Sequence, residues 1–491
     1  MPRPRRLAAL AAAVCSLSFS AMTAWNSAEA SAGSPAVMHT GVVTRQDIPP
    51  RSYSEPDTVV EPDVAVSPLD RNVAIATAHD GRFPDGGAVD ITIAWTHDGG
   101  ATWHHSPVQG VTKAAGGIWD RASDPVVAFG PDGTAYLSIL AISLHCPSAV
   151  VVLRSRDGGV TWSQPFYAHF SPVCSYSDDK NWLVVDTGAR SPYRGRVYQF
   201  WTPFRYSGGN YVSAPQAVRW SDDHGTTWSV THYVTAINHG TQNSQPMIMP
   251  NGRVVDTYYD FGVGGAVPDV VPGAAPERTQ QTTGAIPSTI NATGTVYAAT
   301  STDGGKTWGS RVEVVNNAGG YAPGVRCCLF GADIDAVTHV MYVAYEGGGP
   351  GNTDPVMISS SRDGVNWFSP VPVSQGDVPG IQRVNVDVSA RDGYVYVAYG
   401  TRTHPRDHGG FVQQQLSTSS DRGNTFGAPM SIGPLSELEY AAQSRGYFPG
   451  DYIGTAVTDG RLYLVWAVSS KPPASSTSPY HQVIWGATLS I

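Results

Sequence analysis

The segment His79–Gly87 reads HDGRFPDGG and carries two aspartates, Asp80 and Asp85, among glycines and a proline. Carboxylates on such a loop can stand in a cleft and move a proton, the first chemistry this chain suggests. A second set of polar side chains stands at or just before runs that read as strands. It comprises Glu61, Asp63, Asp124, Asp179, Gln245, Asp333, Arg383 and Asp451. Gathered together, these form a polar ring that binds sugar hydroxyls or a cation, or they pair with one another around water. His404, Asp407 and His408 have helical ligand spacing, but Pro405 forbids the helix, so metal ligation is not the favoured reading.

The elements that must position these residues announce themselves by repetition. A turn recurs as THDGGATW (96–103), SRDGGVTW (155–162), SDDHGTTW (221–228), STDGGKTW (301–308), SRDGVNW (361–367) and SSDRGNTF (419–426). The central aspartates are 59, 66, 80, 60 and 58 residues apart, so each interval holds one strand-rich unit. The chemistry is that of a hairpin turn. Aspartate accepts N–H bonds from its own loop, glycine supplies positive φ, and the closing aromatic packs back on the sheet. Innermost strands are expected near Glu61, Ser123, Asn181, Gln245, Ala332, Val384 and Gly450, which makes seven units. The seventh lacks the turn, and a strand over Val37–Arg45 is expected to complete it and remove an exposed edge. The long interval holds a Gly/Pro-rich insert at about 261–292.

Residues 1–32 place three arginines before an apolar run and end in small residues, the layout of a secretory signal peptide cleaved after Ala30 or Ala32. Ser16, Ser18 and Ser20 dilute the run and weaken a membrane-anchor reading. A secreted, extracellular protein is expected, with residues 37–491 as one domain. The net charge of −9 without Lys/Arg runs excludes nucleic acid and anionic membranes as partners. The remaining cysteines, Cys146, Cys174, Cys327 and Cys328, suit disulfides in an oxidising compartment, most simply Cys146–Cys174 and the adjacent Cys327–Cys328. No Cys-x-x-Cys spacing points to zinc. Asn291–Thr293 is a formal glycosylation sequon.

The repeated turn resembles the Asp-box, or bacterial neuraminidase repeat, S-x-D-x-G-x-x-W, of sialidases and other β-propeller proteins. The resemblance covers nearly all of the chain beyond the leader. It implies an all-β propeller, of seven blades by the count above or six as in typical sialidases. It also implies a carbohydrate-active enzyme, a sialidase-like exo-glycosidase acting on extracellular glycans. On this resemblance Asp85 matches the acid/base aspartate, with Asp80 as rival, and Arg326, Arg383 and Arg445 supply carboxylate-binding forks. Glu439 with Tyr440, Tyr447 or Tyr452 offers the glutamate–tyrosine nucleophile. Asp63, Asp124, Gln245 and Asp451 join as substrate-binding residues. The departure is at the first inner strand, where sialidases carry an arginine in an R-I-P motif and this chain has Asp63 in EPDVAV. Two alternatives therefore stand beside it: a lyase or other glycosidase, with His145 or His239 as base, and a non-catalytic glycan- or protein-binding propeller. A monomer is expected, with no cofactor and structural calcium left open.

Overall fold

The computed structural model describes residues 35–144, 146–264, 294–319, 322, 324–326, 329–348, 354–403, 409–444 and 446–491. The expected signal peptide, most of the insert, the sequon, His145, Cys327, Cys328, His404–His408 and Arg445 lie outside the described residues. What is described is all-β, with two short 3-10 turns as its only helical elements.

Four-stranded antiparallel units follow one another along the chain. The first contains Asp63–Val66, Ala74–Arg82, Ala88–Thr96 and His104–Pro107. The second runs from Arg121–Phe129 through Ala135–Ile142 and Ser148–Ser155 to Phe166–Ser171, joined to the first by one Ala88–Ala122 pair. The third, fourth, fifth and sixth lead with Tyr176–Val185, His239–Ile248, Gly331–Ile334 and Gln382–Arg391. The last sheet orders Gly454–Thr458, Arg461–Ser469 and Gln482–Ser490, and its fourth strand is Ala36–Thr44 from the other end of the chain.

The core is divided among the junctions between units. Ile75, Ile91 and Ile93 of the first unit pack with Leu137, Ile139 and Val151 of the second. Further clusters join second to third, third to fourth, fourth to fifth, fifth to sixth and sixth to seventh. Val64, Ala76 and Ala78 of the first unit also pack with Tyr463, Val465 and Ile484 of the seventh. Alternating apolar residues on both faces of each sheet are what this arrangement requires.

The six repeated turns share one hydrogen-bond scheme. In the second, the Ser155 hydroxyl donates to Asp157 (2.8 Å) and accepts from the Gly159 N–H (3.0 Å), while Thr161 donates N–H and hydroxyl to the same carboxylate. The closing aromatics do more than cover their own sheet. Trp103, Trp162, Trp228, Trp308, Trp367 and Phe426 each pack into the cluster shared with the preceding unit, the seventh for Trp103. The turns are therefore inter-unit clamps.

Carboxylates of leading strands add a second tie. Asp63 accepts the Val127 N–H (2.8 Å), Asp333 the Ala390 N–H (2.8 Å) and Asp387 the Thr455 N–H (2.8 Å), each from the next unit. The Cys146–Cys174 disulfide is formed and links the connection after Ala135–Ile142 to the one after Phe166–Ser171.

Candidate functional site

The leading strands of four units share an irregularity. Their register slips between Ser123 and Val126, Asp179 and Trp182, Gln242 and Gln245, and Val384 and Asp387. In each slip a polar residue takes a left-handed backbone: Asp124 (φ 46°), Lys180 (43°), Asn243 (61°) and Asn385 (54°). Glu61 (φ 56°) holds the matching place before Asp63–Val66. Such φ values are costly for a residue with a Cβ and persist where the surroundings over-determine them. Asn243 and Asn385 use their amides structurally, donating to Phe330 O (3.0 Å) and Gly450 O (2.9 Å) of the next unit. The charged members, Glu61, Asp124 and Lys180, are left to build a site.

They do so with side chains from two more elements. His79, buried on Ala74–Arg82, places Nε2 at 2.9 Å from Glu61 Oε2 and 3.0 Å from the Asp124 N–H. Those contacts compete: with a hydrogen on Nε2 the ring donates to Glu61, and without one Nε2 accepts from the Asp124 N–H. The Ser123 hydroxyl donates to Asp124 Oδ2 (2.9 Å). Lys180 Nζ lies 3.6 Å from the centre of the Tyr452 ring and 4.7 Å from that of Trp182. Lys180 and Tyr452 are buried, and neither Nζ nor the phenol oxygen has a hydrogen-bond partner. Arg326 meets Asp451 (3.0 Å) and the Ser444 hydroxyl (2.6 Å) on a half-buried shoulder of the same cluster. Arg82 and Arg326 stand over one ring, that of Phe448, at 4.2 and 5.1 Å.

The charges set distinct protonation states. Burial pushes the Asp124 carboxyl up, and the neighbouring Glu61 charge adds to this against Lys180 and His79. Burial acts on Glu61 too, but His79, Lys180 and Arg326 outweigh it and hold this carboxyl below its ordinary value. Burial lowers Lys180 against the pull of Asp124, Glu61 and Asp451. Tyr452 is raised well above an ordinary phenol by burial and by Glu61, Asp124, Asp63 and Asp451. One carboxyl pushed up, one carboxyl held down and one raised phenol thus share a small volume.

The other expected residues fall elsewhere. Asp85 is half-exposed on the connection after Arg82, gripped by both Arg121 nitrogens (2.7 and 3.2 Å). Asp80 has no exposed surface and accepts the N–H groups of Asp47 and Ile48, so its carboxylate anchors the incoming chain. Asp63 is buried in its tie to Val127, near enough to the cluster for its charge to act on Tyr452. Arg383 is buried, held by Asp377 (2.7 Å) and the Thr401 hydroxyl (3.0 Å). The guanidinium that joins Arg326 is instead Arg82. Glu439 is exposed on a 3-10 turn, and the Tyr447 ring packs with Val384, Val412 and Leu438, away from the Tyr452 hydroxyl. Gln245 and Asp179 line the third–fourth junction, where Gln242 donates to Asp179 (3.2 Å). His79, Arg82 and Lys180 went unnoticed in the sequence. Two of them sit inside HDGRFPDGG, and the third is the lone lysine of SYSDDKNW.

No family model and no curated protein matches the chain. Among solved structures it is similar to an α-L-arabinofuranosidase of Fusarium graminearum complexed with an iminosugar inhibitor. That match has 13% identity and a TM-score of 0.47, covering 92% of this chain and 98% of that one. A polysaccharide lyase acting on ulvan matches at 12% identity and a TM-score of 0.47, over 90% and 95% of the two chains. A Hadza microbial sialidase matches at 12% identity and a TM-score of 0.45, over 92% and 96%. At these values no residue role passes from them to this chain.

Proposed function

We propose that the chain is a secreted carbohydrate-active enzyme, a seven-bladed β-propeller whose active site is the cluster around Tyr452. The propeller reading is supported by the succession of four-stranded units with an apolar cluster at each junction, the seventh-to-first one included. The observation that carries the functional reading is the buried, unpartnered Tyr452 hydroxyl with Glu61 and Asp124 as its charged neighbours.

The chemistry this supports best is retaining, sialidase-like removal of a terminal sugar. The Tyr452 oxygen attacks the anomeric carbon as Glu61 takes its proton, and Asp124 gives a proton to the departing oxygen. Water then attacks the anomeric carbon as Asp124 takes its proton, the bond to the Tyr452 oxygen breaks, and Glu61 returns its proton to the departing phenolate. Asp85 is the rim alternative for the acid/base. Arg82 and Arg326 are the guanidinium pair that would face a substrate carboxylate.

A second reading rests on its own observation. His239 Nδ1 faces both oxygens of buried Asp260 (3.0 and 2.8 Å), which orients the ring as a base for β-elimination from a uronate. A panel of a fluorogenic sialoside, an arabinofuranoside and a uronate polymer separates the readings. Sialoside or arabinofuranoside turnover lost in Asp124→Asn supports the first. Ultraviolet-absorbing unsaturated products lost in His239→Ala support the second. Binding without turnover on every substrate leaves a non-catalytic propeller.

A further inference from the structure

The outer strand Phe166–Ser171 presents aromatic side chains where its counterpart two units on presents polar ones. Both strands slip register at the same place: Val150 pairs His169 and Val151 pairs Tyr167, as Val296 pairs Val315 and Tyr297 pairs Glu313. The slip replaces the period-two alternation, so residues three apart share the exposed face. In the fourth unit those residues are Glu313 and Asn316, bonded to each other at 3.2 Å. In the second unit they are Tyr167 (43% exposed) and Phe170 (50%). The two strands share this slip, and the fourth-unit strand adds a second one beside left-handed Asn317 (φ 62°).

Trp119 joins them, with its ring centre 6.3 Å from each and its indole N–H donating to Tyr167 Oη (3.4 Å). Ile118, 70% exposed, precedes it in the chain. Trp119 lies two residues before the strand Arg121–Phe129, which carries Asp124, so one stretch of chain leads from the patch to the cluster. Arg121, between them, holds Asp85 at the rim. The exposed side chains offer on the order of 400 Å², below the ~800 Å² per partner of a stable dimer. Rings set edge to face, fringed by the Lys113–Asp120 and Arg121–Asp85 ion pairs, suit a ligand with apolar C–H faces and many hydroxyls.

We propose that Ile118, Tyr167 and Phe170, seated on the buried Trp119 ring, form a binding surface for a glycan chain running outward from the axial cluster, so that the ligand is a polymer and not only its terminal sugar. This rests on the reading of the cluster as a glycan site. The test is affinity electrophoresis of the mature chain in gels containing arabinan, pectate or polysialic acid. Wild type, Tyr167→Ala/Phe170→Ala and, as the matched control, Glu313→Ala are compared, with melting curves to certify folding. The expected result is retardation of wild type and Glu313→Ala in at least one gel, with apparent affinity of the double variant down about tenfold. Equal retardation of a folded double variant overturns the proposal, as does no retardation of wild type in any gel. A concentration-dependent dimer that the double variant abolishes also overturns it, by making the face a self-association surface. Turnover with unchanged retardation rejects the patch and keeps the enzyme; patch-dependent retardation without turnover does the reverse.

Discussion

Lys180 is the residue on which the candidate site turns. It is buried, left-handed in backbone, and wedged against Tyr452 with Glu61, Asp124 and Asp451 as its charged surroundings. Removing one partner from a buried charge network costs more than the network contributes, because the charges left behind stay desolvated. Lys180→Met is therefore expected to cost about 3 kcal/mol at neutral pH. Denaturant melts of wild type and variant at neutral pH check this, and an unchanged midpoint in a folded variant would contradict it. Part of this site was legible. HDGRFPDGG contributes His79 and Arg82 to the candidate cluster, while Asp80 is buried and Asp85 is held by Arg121. Side-chain chemistry drew attention to the aspartates. Which residues of a strand end face inward depends on register, which type and spacing do not encode.

At the scale of elements, the repeated turns were readable because their chemistry is local: serine, aspartate, glycine and threonine satisfy one another within seven residues. The leading strands were less so. Stretches such as SYSDDKNW and NHGTQNSQP read as connections, yet they are the first halves of Tyr176–Val185 and His239–Ile248. The bulge breaks the two-residue alternation there, so the strand pattern starts only after it. Buried carboxyls between these strands have a pH consequence. Asp80, Asp256 and Glu346 have no exposed surface, and burial lifts them to about 7, 8 and 8. Folded values above unfolded ones mean the native state holds extra protons between about pH 4 and pH 8. The stability they contribute is present in full at the acid end and lost as pH rises through that window. Turn aspartates such as Asp223 and Asp363, held at about 2, act oppositely, losing their contribution as pH falls below about 4. The melting temperature should therefore peak near pH 4–5 and decline toward pH 8. Glu346→Gln, which keeps an acceptor for the Val386 N–H, should flatten that decline. A decline of unchanged steepness in a folded Glu346→Gln would remove Glu346 as its source.

For the whole molecule, the pairing of Ala36–Thr44 with Gln482–Ser490 joins the two ends of the described chain in one sheet. Deleting residues 36–44 bares the edge of Gln482–Ser490 and exposes Val465 and Ile484 of the seventh–first cluster. The expected outcome is a melting temperature lower by several degrees and aggregation visible by light scattering. A monodisperse deletion variant with an unchanged melt would show that the strand is dispensable. The repeats made the strand-rich units readable, and the strand expected over Val37–Arg45 corresponds to Ala36–Thr44, paired with Gln482–Ser490. The substrate was not readable, because it depends on side chains from distant units that meet only after folding. The measurement that tests the central claim most directly is kcat/KM for the responding glycoside in wild type, Tyr452→Phe and Asp124→Asn, with melting curves for all three. The account predicts losses of at least about 10²-fold in both variants while the folds persist. Folded variants that turn over substrate at the wild-type rate would contradict it.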